Sequence, residues 1–328
     1  MKKRKDKLSN ICPFTSCYSY VDGSSVNFLL PDKRITLKNL DPKFLLKLCK
    51  QCNGFNTVKQ IVKNIACTSN HRESDVIYVI KKLLENDILV DIHCYYLLFH
   101  SVSANPMPYV RTLSNKELLD MFRDKSSLLS PVFLPSTYLE RLMDRRVSER
   151  GFINSPITEN ELLRLLWSTY GKIDRSKNYP ENKIGLGTVP SGGALYPLLL
   201  RVVLFKKIGS YKKGAYVVLG GKIKYLKSIS AGEIRSSFFG KHPFLDNASL
   251  CIAICGNFNQ TTKKYSNRGY RYALLEAGHA AQNAYLWCSE NSLGVVEVCG
   301  FKDEEFSRLL DLDYPHEAVL TTLFVGKK

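Results

Sequence analysis

The chain has 328 residues, a formal net charge of +17 and 45% apolar content. That length favours two domains over one, and an apolar share of this size with 11% aromatics excludes wholesale disorder. The positive excess points either to a solvated basic surface or to an anionic partner: a phosphate cofactor, an acidic peptide or nucleic acid.

The first residues are basic (Lys2, Lys3, Arg4, Lys5, Lys7), but polar LSNICPFTSC follows instead of an apolar core, so no signal peptide is expected. Residues 18 to 37 predict short strands: CYSYV and SVNFLL flank the turn signal Asp22-Gly23, and RITL supplies a third. DPKFLLKLCKQC predicts a helix capped by Asp41, with Phe44, Leu45, Leu48 and Cys49 on one face. Cys49 and Cys52 form a single CxxC inside that pattern. One pair is half a zinc site, so the spacing is read as coincidence. The ten cysteines are scattered and are read as reduced thiols of a cytosolic protein. TVKQIVKNIA opens with a capping box, Thr57 to Gln60. ESDVIYVIKKLLEND is a third amphipathic helix and ILVDI a closing strand. Together they predict a small winged-helix-like domain over residues 1–100. Its third helix carries Lys81 and Lys82 beside Glu73, Asp75 and Glu85, too few base-reading side chains for a major-groove helix, so nucleic acid is not the expected partner.

Residues 101–130 are read as a connector holding SANPMPY and a charged docking helix, SNKELLDMFRDK. A second domain is expected over 131–328. TENELLRLLWSTYG is a helix with a capping box, Thr158 to Glu161. LLLRVVLF, GAYVVLG, ASLCIAICGNF and AVLTTLFVG are strands. LYPLLLRVVLF is the longest apolar run and Arg201 interrupts it, short of the ~18 residues of a membrane helix. RYALLEAGHAAQNAYLWCSENSLG is a long helix, apolar on nearly every side and therefore predicted central and buried, with Ala277, Gly278, Ala280, Ala281 and Ala284 leaving its surface thin. His279 on this helix is read as a core histidine.

Three clusters are candidates for chemistry. VPSGGALYP puts permissive backbone just ahead of a core strand, either a tight turn or a cradle for a planar ring. It matches neither GxGxxG nor GxxxxGK[ST], so no dinucleotide fold or P-loop is supported. In DRRVSERGF, Arg146, Ser148 and Arg150 alternate. An extended segment would present two guanidiniums and a hydroxyl on one face, a donor set that suits phosphate. The third is the end of the sequence, where Gly326, Lys327 and Lys328 follow a buried strand, either a frayed tail or a late cation.

RVSERGF, PSGGALYP, KYSNRGYRYALLEAGHAAQNAYL and CGFKDEEFSRLLDLD occur in the order found in nitroreductase-like flavoproteins. Over residues 131–328 the chain resembles most closely the SagB-type dehydrogenases, the azoline oxidases of thiazole/oxazole-modified peptide biosynthesis. The resemblance implies an α+β fold, a nitroreductase-like mixed sheet flanked by helices, forming a homodimer with FMN at the subunit interface. By position it implies that Arg146, Ser148 and Arg150 contact the phosphate and ribityl chain. It implies that Pro190, Ser191, Gly192 and Gly193 face the isoalloxazine ring. Gln282 of the LEAGHAAQN string and Gly300 match further cofactor contacts, and Lys327 a late cation near the phosphate. The Ala194-Leu195 pair follows the SagB branch where many nitroreductases have Asn, and Gly-Gly replaces its usual Ala-Gly. Lys264 and Tyr265 match the family's lysine–tyrosine pair, which handles substrate protons, whereas Lys224-Tyr225 is read as chance. A lysine can act as base once burial or a nearby cation, here Arg268 or Arg271, lowers its pKa.

The implied activity is oxidation of thiazoline or oxazoline to thiazole or oxazole in a precursor peptide, with O2 as electron acceptor. A YcaO-type cyclodehydratase is the implied partner. The N-terminal domain then resembles a PqqD-like element, which takes a leader peptide as an added strand. The alternatives are an NAD(P)H-dependent nitroreductase or quinone reductase, and a flavin-less scaffold of the same complex.

Overall fold

A computed structural model describes residues 135–173 and 185–328 throughout, residues 8–91 apart from breaks at 9–10, 12, 16–17, 23–24, 30–33, 39, 55, 70 and 87, and the single residues 100 and 120. The expected docking helix of the connector lies outside these residues except for Asp120. The chain divides into two units, Met1–Val110 and Arg111–Lys328.

In the first unit, β1 (Pro13–Thr15) pairs antiparallel with β5 (Leu89–Asp91). The strands β2 (Tyr18–Asp22), β3 (Ser25–Leu29) and β4 (Arg34–Leu37) form an antiparallel sheet in that order. Three helices follow: α1 (Pro42–Gln51), α2 (Val58–Thr68) and α3 (Glu73–Glu85). Their starts are set by the caps legible in the sequence. Asp41 accepts the Lys43 N–H at 3.0 Å, and Thr57 and Gln60 form the reciprocal box. Phe28, Leu45, Leu48, Ile61, Ile65 and Ile80 close the core. Cys52 is buried just past the end of α1, and burial pushes its thiol up, which keeps it protonated and inert.

The second unit is built on a six-stranded sheet in the order β10-β9-β8-β11-β13-β12. These are β8 (Leu198–Leu204), β9 (Gly214–Leu219), β10 (Lys222–Lys227), β11 (Leu250–Asn257), β12 (Leu293–Val298) and β13 (Glu317–Lys327). The expected α+β sheet flanked by helices is present, and every pairing in it is antiparallel. A small hairpin, β6 (Lys172–Ile173) with β7 (Leu186–Gly187), lies outside it.

The middle of β11 shows why its sequence is an unbroken apolar run. Leu250, Ile252 and Ile254 enter one core with Leu162, Leu165, Ala277 and Ala284, whereas Cys251, Ala253 and Cys255 enter another with Phe238, Phe306 and Phe324. Both faces are covered, so both alternations must be apolar. Helices α5 (Glu159–Tyr170) and α8 (Arg268–Glu290) cover the first face; α6 (Ala231–Ser236) and α9 (Asp303–Leu309) cover the second. Arg201, the interruption in β8, is buried, and its Nε–H donates to the Leu310 carbonyl at 3.1 Å.

Four helices of the second unit were not legible in the sequence: α4 (Tyr138–Arg145), α6, α7 (Phe258–Tyr265) and α9. The long helix also differs from expectation. It ends at Glu290, Ser292 turns with φ 54°, and β12 begins at Leu293. One of its faces is open, and His279, expected in the core, is exposed on it. Among the described residues no helix is long and apolar enough to cross a membrane.

Candidate active site

The loop between β7 and β8 has a constrained backbone. Gly192–Ala194 form a single 3-10 turn, and Gly193, Ala194 and Tyr196 have φ of 64°, 53° and 49°. Two of these three are not glycine, so the conformation is one that surrounding bonds must hold. The Tyr196 N–H donates to Ser191 Oγ at 2.9 Å, and the Gly187 N–H to Tyr196 Oη at 2.7 Å. Gln260 donates from α7 to the Leu195 carbonyl, and the Asn257 N–H donates to the Pro197 carbonyl at 2.8 Å. From α8, Asn283 Nδ2 reaches the carbonyls of Ser168 at 3.2 Å and Thr188 at 3.1 Å.

Against this loop stands the lysine–tyrosine pair. A Cβ on Gly193 would collide with Tyr265 Oη and lie 2.9 Å from Lys264 Nζ; one on Gly192 would lie 3.2 Å from the Tyr272 ring. Tyr265 and Tyr272 meet edge to face at 5.0 Å, and the Lys264 ammonium sits 5.2 Å from the Tyr265 ring centroid. The two motifs are some seventy residues apart in the chain, yet the fold joins them. Lys264 is exposed in the single chain. Its neighbours include Lys263 and Arg268.

The second cluster gathers on the other side of α8. Ser148 Oγ lies 3.0 Å from Tyr285 Oη, and the Arg146 guanidinium lies 5.5 Å from the centroid of the same ring. Tyr285 also accepts the Glu297 N–H at 2.9 Å, which fixes the phenol on β12. The segment itself is laid on the sheet by the Glu149 N–H, which donates to the Val295 carbonyl at 2.9 Å. Arg146 and Arg150 have no carboxylate partner among the described residues. Lys327 differs: its ammonium is bound to Glu161 Oε1 at 2.6 Å, while its carbonyl accepts the Ile153 N–H at 2.9 Å. It therefore adjoins the arginine segment by its main chain, with its charge already matched.

Gln282 and Gly300 stand apart from both clusters. Gln282 is exposed on the open face of α8. Gly300 accepts the Phe239 N–H at 2.9 Å, and its neighbour Phe301 bridges Phe238. Space above the Gly300 Cα is open. Pro190 is exposed at the entrance of the loop. Sequence reasoning missed Tyr285, Tyr272, Gln260, Tyr170 and Glu276. Glu276 gave no usable signal, since a glutamate in a helix is ordinarily exposed.

The residues present fit a flat ring and an anionic tail. At Gly192 and Gly193 the lack of side chains lets Tyr265, Lys264 and Tyr272 come up to the main chain, a polar and aromatic rim for a ring, and two guanidiniums with no carboxylate partner among the described residues offer, with the Ser148 hydroxyl, donors for a phosphate. FMN is a molecule with two such ends.

The Nitroreductase family model matches residues 143–327. A candidate nitroreductase of Methanocaldococcus jannaschii, MJ1384, is 33% identical over 193 residues, which cover 58% of this chain and 91% of that protein. The microcin B17-processing protein McbC of Escherichia coli is 29% identical over 143 residues, 42% of this chain and 53% of McbC, so the match spans about half of that relative. Among solved structures, a chain of the E. coli microcin synthetase McbBCD complex with truncated pro-MccB17 bound aligns at a TM-score of 0.55 and 22% identity. The alignment covers 72% of this chain and 93% of that one. At that identity the likeness is one of fold.

Proposed function

The chain belongs to the nitroreductase family, an oxidoreductase family, and from that premise we propose that it is a SagB-type, FMN-dependent dehydrogenase. Its substrate would be a ribosomally made precursor peptide whose thiazoline or oxazoline rings become thiazole or oxazole. The observation that carries the reading is the meeting of Lys264 and Tyr265 with Gly193. The match to a microcin B17-processing protein supports the peptide substrate.

Bound FMN supplies the hydride acceptor, with O2 as the final acceptor of the electrons. Aromatisation of an azoline also releases a proton, and Lys264 Nζ takes it. The Tyr265 phenol, held edge-on by Tyr272, orients the ring. Ser191, Gly192 and Gly193 would hold the ring of that cofactor, while Arg146, Ser148 and Arg150 would hold its phosphate. Lys264 must be neutral to act.

A second copy is part of this reading. Glu276, beneath the loop, and Tyr285, beneath the arginines, are nine residues apart on α8. At about 100° per residue they lie on opposite sides of the helix. Between them runs the open stripe of Leu274, Leu275, Gly278, His279 and Gln282. A two-fold partner on that stripe brings the loop of one copy toward the arginines of the other. The N-terminal unit and the basic charge suit an acidic leader peptide added beside β2 or β4. A YcaO-type cyclodehydratase would make the azoline first.

A second reading, an NAD(P)H-dependent nitroreductase or quinone reductase, is favoured by the match over 91% of MJ1384. Purified protein with the visible spectrum of a flavin is the expected result for both. Anaerobic bleaching by an azoline peptide and not by NADPH supports the first; bleaching by NADPH alone supports the second. A colourless protein that does not take up FMN overturns both. Lys264→Ala is expected to keep the colour and lose turnover.

A further inference from the structure

Glu276 is a carboxyl inside α8 with 2% of its surface exposed. Two hydroxyls from neighbouring elements face it. Tyr170, at the end of α5, donates to Oε1 at 2.7 Å. Ser191, of the glycine loop, faces the same carboxyl, and Oε2 has no hydrogen bond among the described residues. Each hydroxyl also accepts a main-chain donor: Tyr170 Oη the Leu198 N–H at 3.2 Å, and Ser191 Oγ the Tyr196 N–H at 2.9 Å. A hydroxyl has one hydrogen to give. For Tyr170 that hydrogen goes to Glu276 Oε1; Ser191 Oγ has its own hydrogen left to give, and Glu276 Oε2 is the acceptor left without a bond among the described residues.

Resting on the reading of this loop as the flavin cradle, we propose that Glu276 is a positioning residue. Its two carboxylate oxygens orient the Ser191 and Tyr170 hydroxyls, and these hold residues 191–198 in the turn, left-handed at Gly193, Ala194 and Tyr196, that presents Gly192 and Gly193. Ala194 and Tyr196, at φ 53° and 49°, keep that conformation only while their bonds persist. An ionised carboxylate accepts from both hydroxyls. A glutamine accepts from one and confronts the other with an N–H, so that hydroxyl turns away and frees its main-chain donor. Burial raises the pKa of Glu276, and the Ser191 hydroxyl, the Tyr170 hydroxyl and the charge on His279 oppose the rise. The accepting form is therefore gained above the ordinary carboxylate range.

The test uses the full chain freed of flavin. In Glu276→Gln, amide exchange at Tyr196 and Leu198 is expected to quicken at least about fivefold, the worth of one hydrogen bond, with Ile252 of β11 unchanged. Ser191→Ala quickens Tyr196 and leaves Leu198 as it was, a control that keeps the carboxyl. In FMN titrations at stepped pH, wild-type affinity rises as Glu276 ionises. Glu276→Gln lacks that step, and the Ser191→Ala/Glu276→Gln double variant binds no worse than Glu276→Gln. Unchanged exchange at both amides, or a pH step that survives in Glu276→Gln, overturns the proposal. If wild-type protein binds no FMN while exchange quickens as expected, the flavin reading falls and the positioning role stands.

Discussion

Gly193 is the residue on which the loop turns. Its φ of 64° disfavours any side chain, and the space a Cβ would need is occupied by Tyr265 Oη. Gly193→Ala should cost about 1–2 kcal/mol from the backbone alone. It should also push Tyr265 off the loop, so a lower melting temperature is expected together with weaker FMN retention. An unchanged melting curve would show that the turn tolerates a side chain. Asp303 offers a pH test at the same scale. Burial raises its pKa from the ordinary 3.8 to about 6. The folded state then holds the proton more tightly than the unfolded state. Its contribution to stability is complete below about 4 and lost as pH rises through about 6. Asp303→Asn should remove that fall, read from melting temperatures over the same window. The sequence made Ser191–Gly193 legible because permissive backbone before an apolar run is a local signal. Lys264 and Tyr265 gave no such signal; only their order among other motifs did. Glu276 stayed hidden because a glutamate in a helix ordinarily marks the solvated face.

At the scale of elements, capping chemistry was the most readable feature. Thr158 accepts the Glu161 N–H at 3.2 Å, and Glu161 returns to the Thr158 N–H at 2.6 Å. The same carboxylate binds Lys327 through its other oxygen. The start of α5 is thereby tied to the end of β13. Thr158→Ala is expected to destabilise the unit by about 1 kcal/mol, read as a shifted denaturation midpoint with unchanged slope. Glu161→Gln should in addition free the Lys327 ammonium. Helix α7 was unreadable for the opposite reason. No side chain caps it at Asn257, and only Phe258 and Thr261 are buried, too few positions to display a helical period. It is held from outside, by Gly269 packed on the Thr261 main chain and by Thr261 Oγ1 donating to the Gly269 carbonyl at 3.0 Å. Those bonds aim Lys264 and Tyr265, and nothing within eight residues of sequence announces them. The long helix failed at its C-terminus because SENSLG carries no proline or cap strong enough to mark the change from helix to β12.

For the whole molecule, strands β8, β9, β11 and β13 were legible because they are largely buried and so largely apolar, whereas β10, which buries no residue, and β12, which starts inside the expected long helix, were not. The open stripe of α8 was not, since alanine and glycine suit a buried helix and a helix–helix seam equally. Leu275 is 57% exposed there, and Gly278 has nothing within 4 Å of where its Cβ would be. A bare glycine beside an exposed leucine suits close approach by a second helix. In the proposed dimer that approach buries both stripes and joins the half-sites flanking them. A charge placed on the seam must then be desolvated without a partner. Leu275→Glu is therefore expected to give a monomer in sedimentation and to lose FMN in the same preparation, while its circular dichroism stays that of the folded unit. Loss of the dimer with full flavin retention would mean that one copy holds both ends of the cofactor. In that case α8 would have to present Glu276 and Tyr285 to a single ligand around its own circumference.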